Sequence, residues 1–159
     1  MAGRVGHGYD LHRLVEGRAL VLGGVRIAYD RGLQGHSDGD VVLHALCDAI
    51  LGAMAAGDVG QHFPDTDERY HGIPSSDLVR HVTSLMREHG WRLANVDVTV
   101  CAEQPRLAGH QQAMRRRLAE LLAVTTSRVS VKAKTNEGLG PVGRGEAIAA
   151  TAVVLLDGT

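Results

Sequence analysis

The chain has 159 residues, the length of one domain, and its 17 basic and 18 acidic side chains give a formal charge of −1. No overall field would therefore gather nucleic acid or an anionic membrane, and aromatic residues, at 3%, are too few for the stacking surfaces of single-strand binders. No apolar run approaches the roughly 18 residues that span a bilayer. Cys47 and Cys101 lie apart in apolar patterns, as is typical of free thiols in a reducing compartment. We expect one domain over residues 1–159, located in the cytoplasm, without nucleic-acid or membrane partners.

The first half of the chain begins with β-rich segments. Residues 4–12 are expected to form a strand, and residues 19–29 strand structure with a Gly-Gly turn or bulge in the middle. The apolar spacing over residues 40–56 predicts a largely buried helix, capped by Asp38 or Asp40. Residues 57–75 are a polar loop, and a loop of this length is usually functional or disordered.

The second half alternates helices and strands. Ser75 or Ser76 is expected to cap a helix that Gly90 ends. A strand over 95–102, a helix over 107–122 with a basic face at Arg115–Arg117, and a strand over 127–134 follow. The last segment, AIAATAVVLL, is apolar on both faces. This order predicts an α+β fold with a mixed β-sheet and helices packed on one face, and the sheet's other face covered in a homo-oligomer.

One pair of segments carries metal-capable side chains. Asp10 and His12 are two residues apart, so on a strand they point the same way and can converge on one ion. His44 is offered as a third ligand by the predicted helix, and three protein ligands with an open position describe a catalytic zinc site. Asp40 and Asp48, one turn either side of His44, would orient its imidazole. The alternative is that these residues are helix caps and a solvated face.

Two further segments have a possible role in binding anions. His36 and Ser37 precede the helix that carries His44, where free backbone N–H groups favour a phosphate; the alternative is a turn with an incidental histidine. Among the glycines of residues 135–146, Thr135 could bind phosphate, Glu137 could bind magnesium and Arg144 could bind a second anion. A polar hairpin would explain that segment equally well.

The long polar loop and the remaining histidines give weaker signals. Carboxylates in the loop could bind sugar hydroxyls or a second cation, or merely solvate the loop; these are Asp58, Asp65 and Asp67. Several histidines fall on loops or exposed helix faces, and we expect them at the surface: His62, His71, His81, His89 and His110.

Five segments, taken in order and spacing, resemble one known family. They are GHGYDLH, GHSDGDVVLHAL, GDVGQHFPDTD, NVDVTVCAEQPR and KTNEGLGPVGRGE. The resemblance, over residues 4–156, is to the 2-C-methyl-D-erythritol 2,4-cyclodiphosphate synthases of non-mevalonate isoprenoid biosynthesis. It implies a homotrimer whose sheets face inward and whose active sites lie between subunits. It also implies cyclisation of a CDP-linked substrate, 4-diphosphocytidyl-2-C-methyl-D-erythritol 2-phosphate, with release of CMP. The alternatives are a zinc-dependent phosphate-ester hydrolase and a non-enzymatic trimeric binder of metal or isoprenoid diphosphate.

The same resemblance implies roles for individual residues. Zinc or another divalent metal would be held by Asp10, His12 and His44, and magnesium or manganese at the diphosphate by Glu137. His36 and Thr135 would steady the transferring phosphate. The methylerythritol would be held by the segments around residues 58–60 and 63–67, and the cytidine by residues 102–108 of the neighbouring subunit. The implied substrate-binding residues are Ser37, Asp58, Val59, Gly60, Phe63, Pro64, Asp65, Thr66, Asp67, Ala102, Pro105, Arg106, Lys134, Asn136 and Arg144.

Three positions depart from the pattern of this family. Arg106 stands where a lysine is expected in the nucleotide loop, which keeps the charge but changes its geometry. Lys134 replaces a common threonine and adds a cation near the diphosphate. Pro141 stands where an aromatic residue is frequent, which weakens the expectation that the trimer's central cavity binds an isoprenoid diphosphate, although Arg144 and Glu146 are present.

Overall fold

The computed structural model describes residues 2–159. Its strands are β1 (Arg4–Glu16), β2 (Leu20–Leu22), β3 (Val25–Ile27), β4 (Arg31–Leu33), β5 (Trp91–Cys101), β6 (Val129–Lys134) and β7 (Ala147–Gly158). Its helices are α1 (Val41–Ala53), α2 (Val59–His62), α3 (Ser75–Glu88), α4 (Gln111–Leu122) and α5 (Gly140–Gly143). Five strands form one sheet in the order β4-β1-β7-β5-β6, and β2 and β3 form a separate hairpin.

The mixed α+β architecture predicted from the sequence is confirmed. Only β5 and β6 run parallel, and the other pairs of the main sheet are antiparallel. Helix α1 packs on β1 and β7, α3 packs on α1, and α4 packs on β6, so the helices cover one face of the sheet. Among residues 2–159, no helix has both the length and the apolar character that crossing a membrane requires.

Some strands begin or end at other residues than predicted, because pairing with a neighbouring strand sets their ends. Strand β1 continues to Glu16 because its end pairs with β4, a three-residue strand that the sequence pattern missed. Gly23 and Gly24 form the turn between β2 and β3, with φ of 60° and 71°, the left-handed values of a tight hairpin turn. Strand β5 begins at Trp91 and its pairing with β7 shifts by one residue after Leu93.

The helix starts were predicted with mixed success. Asp40 caps α1, since its carboxylate accepts the N–H groups of Val42 and Leu43. The predicted serine cap of α3 is wrong: Pro74 occupies the N-cap position without a side-chain bond, and Ser75 is the first helical residue. The segment 57–75 is not simply a loop, because it contains α2 and a single helical turn at Glu68–Tyr70.

Two glycines of β1 let α1 lie directly on the sheet. A Cβ atom added to Gly6 would lie 1.8 Å from the carbonyl oxygen of Ala49, and one added to Gly8 would lie 1.9 Å from that of Ala45. Any side chain at these positions would therefore push the helix away from the strand. Asp10 and His12 follow on the same face of β1, so the close approach brings them next to α1.

We predict that Gly8→Ala lowers the free energy of unfolding by about 1–3 kcal/mol, because the added methyl group would clash with the backbone of α1. Gly52→Ala is the control: it lies in α1 with nothing within 4 Å of the added Cβ, and should stabilise the protein by about 0.5–1 kcal/mol. Urea unfolding measures both. Equal stability of Gly8→Ala and the wild type would contradict the close packing.

Candidate metal centre and active site

Asp10, His12 and His44 come together where β1 faces α1. One carboxylate oxygen of Asp10, Oδ2, lies 2.8 Å from Nε2 of His12 and 3.1 Å from Nδ1 of His44. One ligand atom from each residue lies within 4.8 Å of the others. All three side chains are partly exposed, which leaves a side open to a ligand. One carboxylate and two imidazoles with an open position form a donor set that suits a catalytic divalent metal.

The electrostatics of this cluster keep its carboxylate charged. Burial opposes ionisation of Asp10, but hydrogen bonds with His12 and His44 outweigh it and hold the pKa of Asp10 well below its usual range. Burial also disfavours the charged form of His12, but its hydrogen bonds to Asp10 and to the carbonyl of Gln34 outweigh this and raise its pKa. Since Nδ1 of His12 bonds to Gln34, Nε2 is the atom that faces Asp10. Such a backbone partner fixes the ring of a metal-binding histidine.

The prediction that Asp40 and Asp48 orient His44 is wrong. The carboxylate of Asp40 turns to the backbone and accepts the N–H groups of Gly23 at 3.0 Å and Gly24 at 2.7 Å, besides capping α1. Burial raises the pKa of Asp40 to about 6, against the lowering by its backbone donors. Asp48 accepts the N–H of Val59 at 2.8 Å and so holds the start of α2. Both aspartates instead fix the segments on either side of the metal-capable cluster.

Other side chains contact His44. Its Nε2 lies 2.9 Å from the hydroxyl oxygen of Ser75 and 3.1 Å from that of Ser37. Ser75 is fully buried and also bonds to Asp38. The contact between Ser75 and His44 could not be predicted from the sequence, because it joins the starts of two helices that lie far apart along the chain.

A cavity of about 440 Å³ opens next to the metal-capable cluster. It gathers eight of the predicted site residues: His12, His36, Ser37, His44, Val59, Gly60, Phe63 and Asp65. Phe63 is buried and packs edge-on against Tyr70, with ring centroids 5.2 Å apart. The rest of the predicted sugar-binding segment lies beside the lining: Asp58 caps α2, and Asp67 pairs with Arg69 at 2.6 Å. Pro64 and Thr66 lie between them in the chain.

The loop that carries His36 is held by its backbone. Arg18 donates from its guanidinium to the carbonyls of Gly35 at 3.1 Å and Ser37 at 2.6 Å. The carbonyl of His36 accepts the N–H of Gly72 at 2.9 Å. Three successive carbonyls are therefore engaged, while Nε2 of His36 is buried and has no hydrogen-bond partner in the described part of the chain. The imidazole of His36 is free to bind a ligand in the cavity.

Sequence reasoning missed two residues at this loop. Arg18 follows a glycine in a turn and belongs to no recognisable motif, so only the fold reveals its role. His71 was expected to be an ordinary surface residue, and it is exposed, but its ring lies edge-on to that of His36 with centroids 4.8 Å apart. The guanidinium of Arg18 adds a positive charge beside the loop that carries His36, which suits an anionic ligand.

A second, smaller cavity of about 130 Å³ lies where the parallel strands β5 and β6 end. It brings together the predicted residues Ala102, Arg106, Lys134 and Thr135. Pro105 lies in the connecting turn. Glu103, which the sequence did not single out, accepts the N–H groups of Asn136 at 2.9 Å and Gly138 at 3.1 Å. Its carboxylate thereby holds the loop that carries Glu137.

Glu137 and Arg144 are exposed. In the sequence they follow Lys134 and Thr135, which line the second cavity. Glu137 has a φ of 53°, and its N–H lies 3.3 Å from the hydroxyl of Thr135. Arg144 pairs with Glu146 at 2.8 Å and lines neither cavity. The two cavities share no lining residue, although both lie at the same end of the sheet, since His12 pairs with Ile148 and Cys101 with Ala149.

The remaining histidines and the cysteines are mostly as predicted. His81 and His89 are exposed, but His62 and His110 are half-buried. His62 is drawn inward because its Nε2 bonds to the carbonyl of Ala56 at 2.8 Å. Cys47 is buried, Cys101 is half-buried, and both are free thiols.

We predict that Arg18→Met loosens the loop of residues 34–38, because the carbonyls of Gly35 and Ser37 lose their only charged partner in the described chain. Amide hydrogen exchange in this loop should speed up by about tenfold, as expected when about 1.4 kcal/mol of local stability is lost. Arg26→Met, on an exposed position of β3, is the matched control and should leave exchange unchanged. Unchanged exchange in Arg18→Met would contradict the assigned role.

Comparison with known proteins identifies the family. A profile of the YgbB family matches residues 3–157. The 2-C-methyl-D-erythritol 2,4-cyclodiphosphate synthase of Syntrophomonas wolfei is 57% identical over 154 residues, covering 97% of this chain and 98% of that protein. The synthase of the same name from Azotobacter vinelandii is 58% identical over 153 residues, covering 96% of this chain and 98% of that protein. A solved 2C-methyl-D-erythritol-2,4-cyclodiphosphate synthase with CDP bound has a TM-score of 0.90 and 40% identity, covering 97% of this chain and 100% of that one. The chain belongs to the YgbB family.

Proposed function

We propose that this chain converts 4-diphosphocytidyl-2-C-methyl-D-erythritol 2-phosphate into 2-C-methyl-D-erythritol 2,4-cyclodiphosphate and CMP, a step of non-mevalonate isoprenoid biosynthesis. The observation that carries the proposal is the cluster of Asp10, His12 and His44 beside a cavity lined by His36 and Ser37. The cluster occurs in a chain 58% identical to synthases named for this product. The enzyme is then a phosphorus-oxygen lyase.

The reaction needs no nucleophile from the protein. An oxygen of the substrate's 2-phosphate, already anionic at neutral pH, forms a bond to the β-phosphorus. The bond from that phosphorus to the bridging oxygen breaks, and CMP leaves with the electron pair. What the protein supplies is alignment of the two phosphates and positive charge for the transition state.

The residues of the first cavity fit this task. Nε2 of His36 is buried without a partner, so it can donate a hydrogen bond to a phosphate oxygen. Ser37 lies beside it, and Thr135 would add a hydroxyl to the same phosphate group. Phe63 and the cavity wall around Val59 and Gly60 would hold the methylerythritol and exclude water, which favours cyclisation over hydrolysis.

The donor sets fit two metal ions. Asp10, His12 and His44 would hold zinc or another divalent ion, since their donors are one carboxylate and two imidazoles around an open side. The carboxylate of Glu137 is a hard ligand suited to magnesium or manganese at the substrate diphosphate. Bound there, the two ions would neutralise the charge on the diphosphate and orient it.

We propose a homotrimer in which each active site is shared by two subunits. Support comes from the division of the predicted residues between two cavities with no common lining residue. The outer face of the sheet also exposes apolar side chains, with Val5 at 68%, Tyr9 at 55%, Leu11 at 43% and Val153 at 42%. Packing of these faces around a three-fold axis would cover them and bring the Arg106 cavity of one subunit to the metal centre of the next. Cytidine would bind at Ala102, Pro105 and Arg106, near Lys134 and Asn136. The cytoplasmic location of the protein stays a prediction from the sequence.

We predict that phosphorus NMR of the wild type with substrate and magnesium shows cyclic diphosphate and CMP. His44→Ala should lose this activity by at least about a hundredfold, because one of three zinc ligands is removed. His89→Ala, at an exposed helix end, is the matched control and should behave as the wild type. Inorganic phosphate or linear products would instead indicate a hydrolase, and a zinc-loaded trimer without turnover would indicate a binding protein.

We predict a different signature for Glu137→Gln. Loss of the carboxylate that holds magnesium should lower kcat by at least about tenfold, while the zinc content measured by atomic absorption stays at the wild-type level. Glu120→Gln, an exposed glutamate on α4, controls for the change in charge. If zinc is lost together with activity, Glu137 does not have the role assigned here.

A further inference from the structure

Ser75 and Asp38 form a short chain of hydrogen bonds behind His44. Ser75 is fully buried at the start of α3. Its N–H donates to Oδ2 of Asp38 at 3.0 Å, and its hydroxyl lies in hydrogen-bond contact with Oδ1 of the same carboxylate. The N–H of Asp40 donates to that Oδ1 at 3.1 Å. Asp38 therefore faces three donors, and its carboxylate has no proton to give in return.

The partners of Ser75 give this chain a direction. The Ser75 hydroxyl has one proton, and Asp38, which can only accept, takes it. The Ser75 oxygen is then an acceptor, and Nε2 of His44, 2.9 Å away, can donate to it. A metal ion held at Nδ1 of His44 would leave the ring proton on Nε2, where Ser75 accepts it. Nδ1 is the atom that points to Asp10, at 3.1 Å.

Ser37 completes the arrangement. Its hydroxyl oxygen lies 3.1 Å from that of Ser75 and receives the N–H of Gly39 at 3.5 Å. Its proton can therefore go to the second lone pair of Ser75. With Ser37 donating to Ser75, donation runs from His44 through Ser75 to Asp38, and the oxygen of Ser37, 3.1 Å from Nε2 of His44, is a second acceptor for the same ring proton.

We propose that Asp38 and Ser75 are positioning residues that fix the tautomer of His44 and so present Nδ1 to the metal. This rests on the metal centre proposed above. Ser75 does not cap α3, and its hydroxyl contacts His44 and Asp38 instead. A metal-bound histidine whose other nitrogen has a fixed carboxylate or carbonyl partner is a stronger ligand, and here a serine hydroxyl relays that effect from the carboxylate.

Two variants separate a positioning role from a structural one. Ser75→Ala removes the acceptor for Nε2 of His44. Asp38→Asn keeps the shape but reverses the donation: its amide can give a proton to the Ser75 oxygen, and the Ser75 hydroxyl then turns to Nε2 of His44. That places the ring proton on Nδ1, the atom that must be bare to bind a metal. Ser76→Ala, at the next position of α3, is the matched control.

The first test is heteronuclear NMR of the imidazole nitrogens in the full-length chain, with and without zinc. His44 should carry a proton on Nε2 in the wild type and in Ser76→Ala, with and without zinc, and should lack it in metal-free Asp38→Asn. A wild-type His44 without a proton on Nε2 in the metal-free chain would overturn the proposal. This reading does not depend on any variant folding.

The second test is zinc affinity, measured by competition with a chelating dye. Ser75→Ala and Asp38→Asn should bind zinc about 10- to 100-fold more weakly than the wild type, while Ser76→Ala should match it. If the wild type binds zinc and Ser75→Ala binds it equally tightly, the positioning role is wrong. If the wild type itself binds no zinc, the proposed metal centre fails, and the tautomer measurement still decides whether the hydrogen-bond chain exists.

Discussion

The close approach of α1 to β1 is the constraint on which the site depends. The backbone carbonyls of Ala45 and Ala49 occupy the space where side chains of Gly8 and Gly6 would stand. Asp10 and His12 continue along the same face of β1, and His44 directly precedes Ala45 on α1. If the two elements lay even slightly farther apart, Oδ2 of Asp10 could not reach both imidazoles. The metal-capable cluster is therefore a consequence of backbone packing, and the ligands themselves need no special loop.

A layer of polar contacts fixes the segments around this cluster. Asp40 ties the start of α1 to the hairpin at Gly23 and Gly24, Asp48 ties α1 to α2, and Arg18 holds the carbonyls on either side of His36. Buried polar groups are stable only when their bonding needs are met. Two of these contacts also hold the backbone of residues that line the cavity: Asp48 holds Val59, and Arg18 holds Gly35 and Ser37.

Features that depend on residues close together in the sequence could be predicted, and contacts between distant segments could not. The two-residue spacing of Asp10 and His12 predicted a shared strand face, and the capping pattern predicted that Asp38 or Asp40 caps α1, because both depend on local geometry. The partners of Asp48 and Ser75 could not be predicted, since they join segments that meet only in the folded chain. Strand β4 was missed because three residues are too few to show an alternating apolar pattern. The strand forms through its pairing with the end of β1. Family resemblance implied the ligand set but not the hydrogen bonds behind it.

An anomalous difference map at the zinc absorption edge, from a crystal of the zinc-loaded protein, would locate the metal directly. We predict that the strongest peak lies between a carboxylate oxygen of Asp10, Nε2 of His12 and Nδ1 of His44, about 2.0–2.2 Å from each. A peak bound to Nε2 of His44, or one located away from these three side chains, would contradict it.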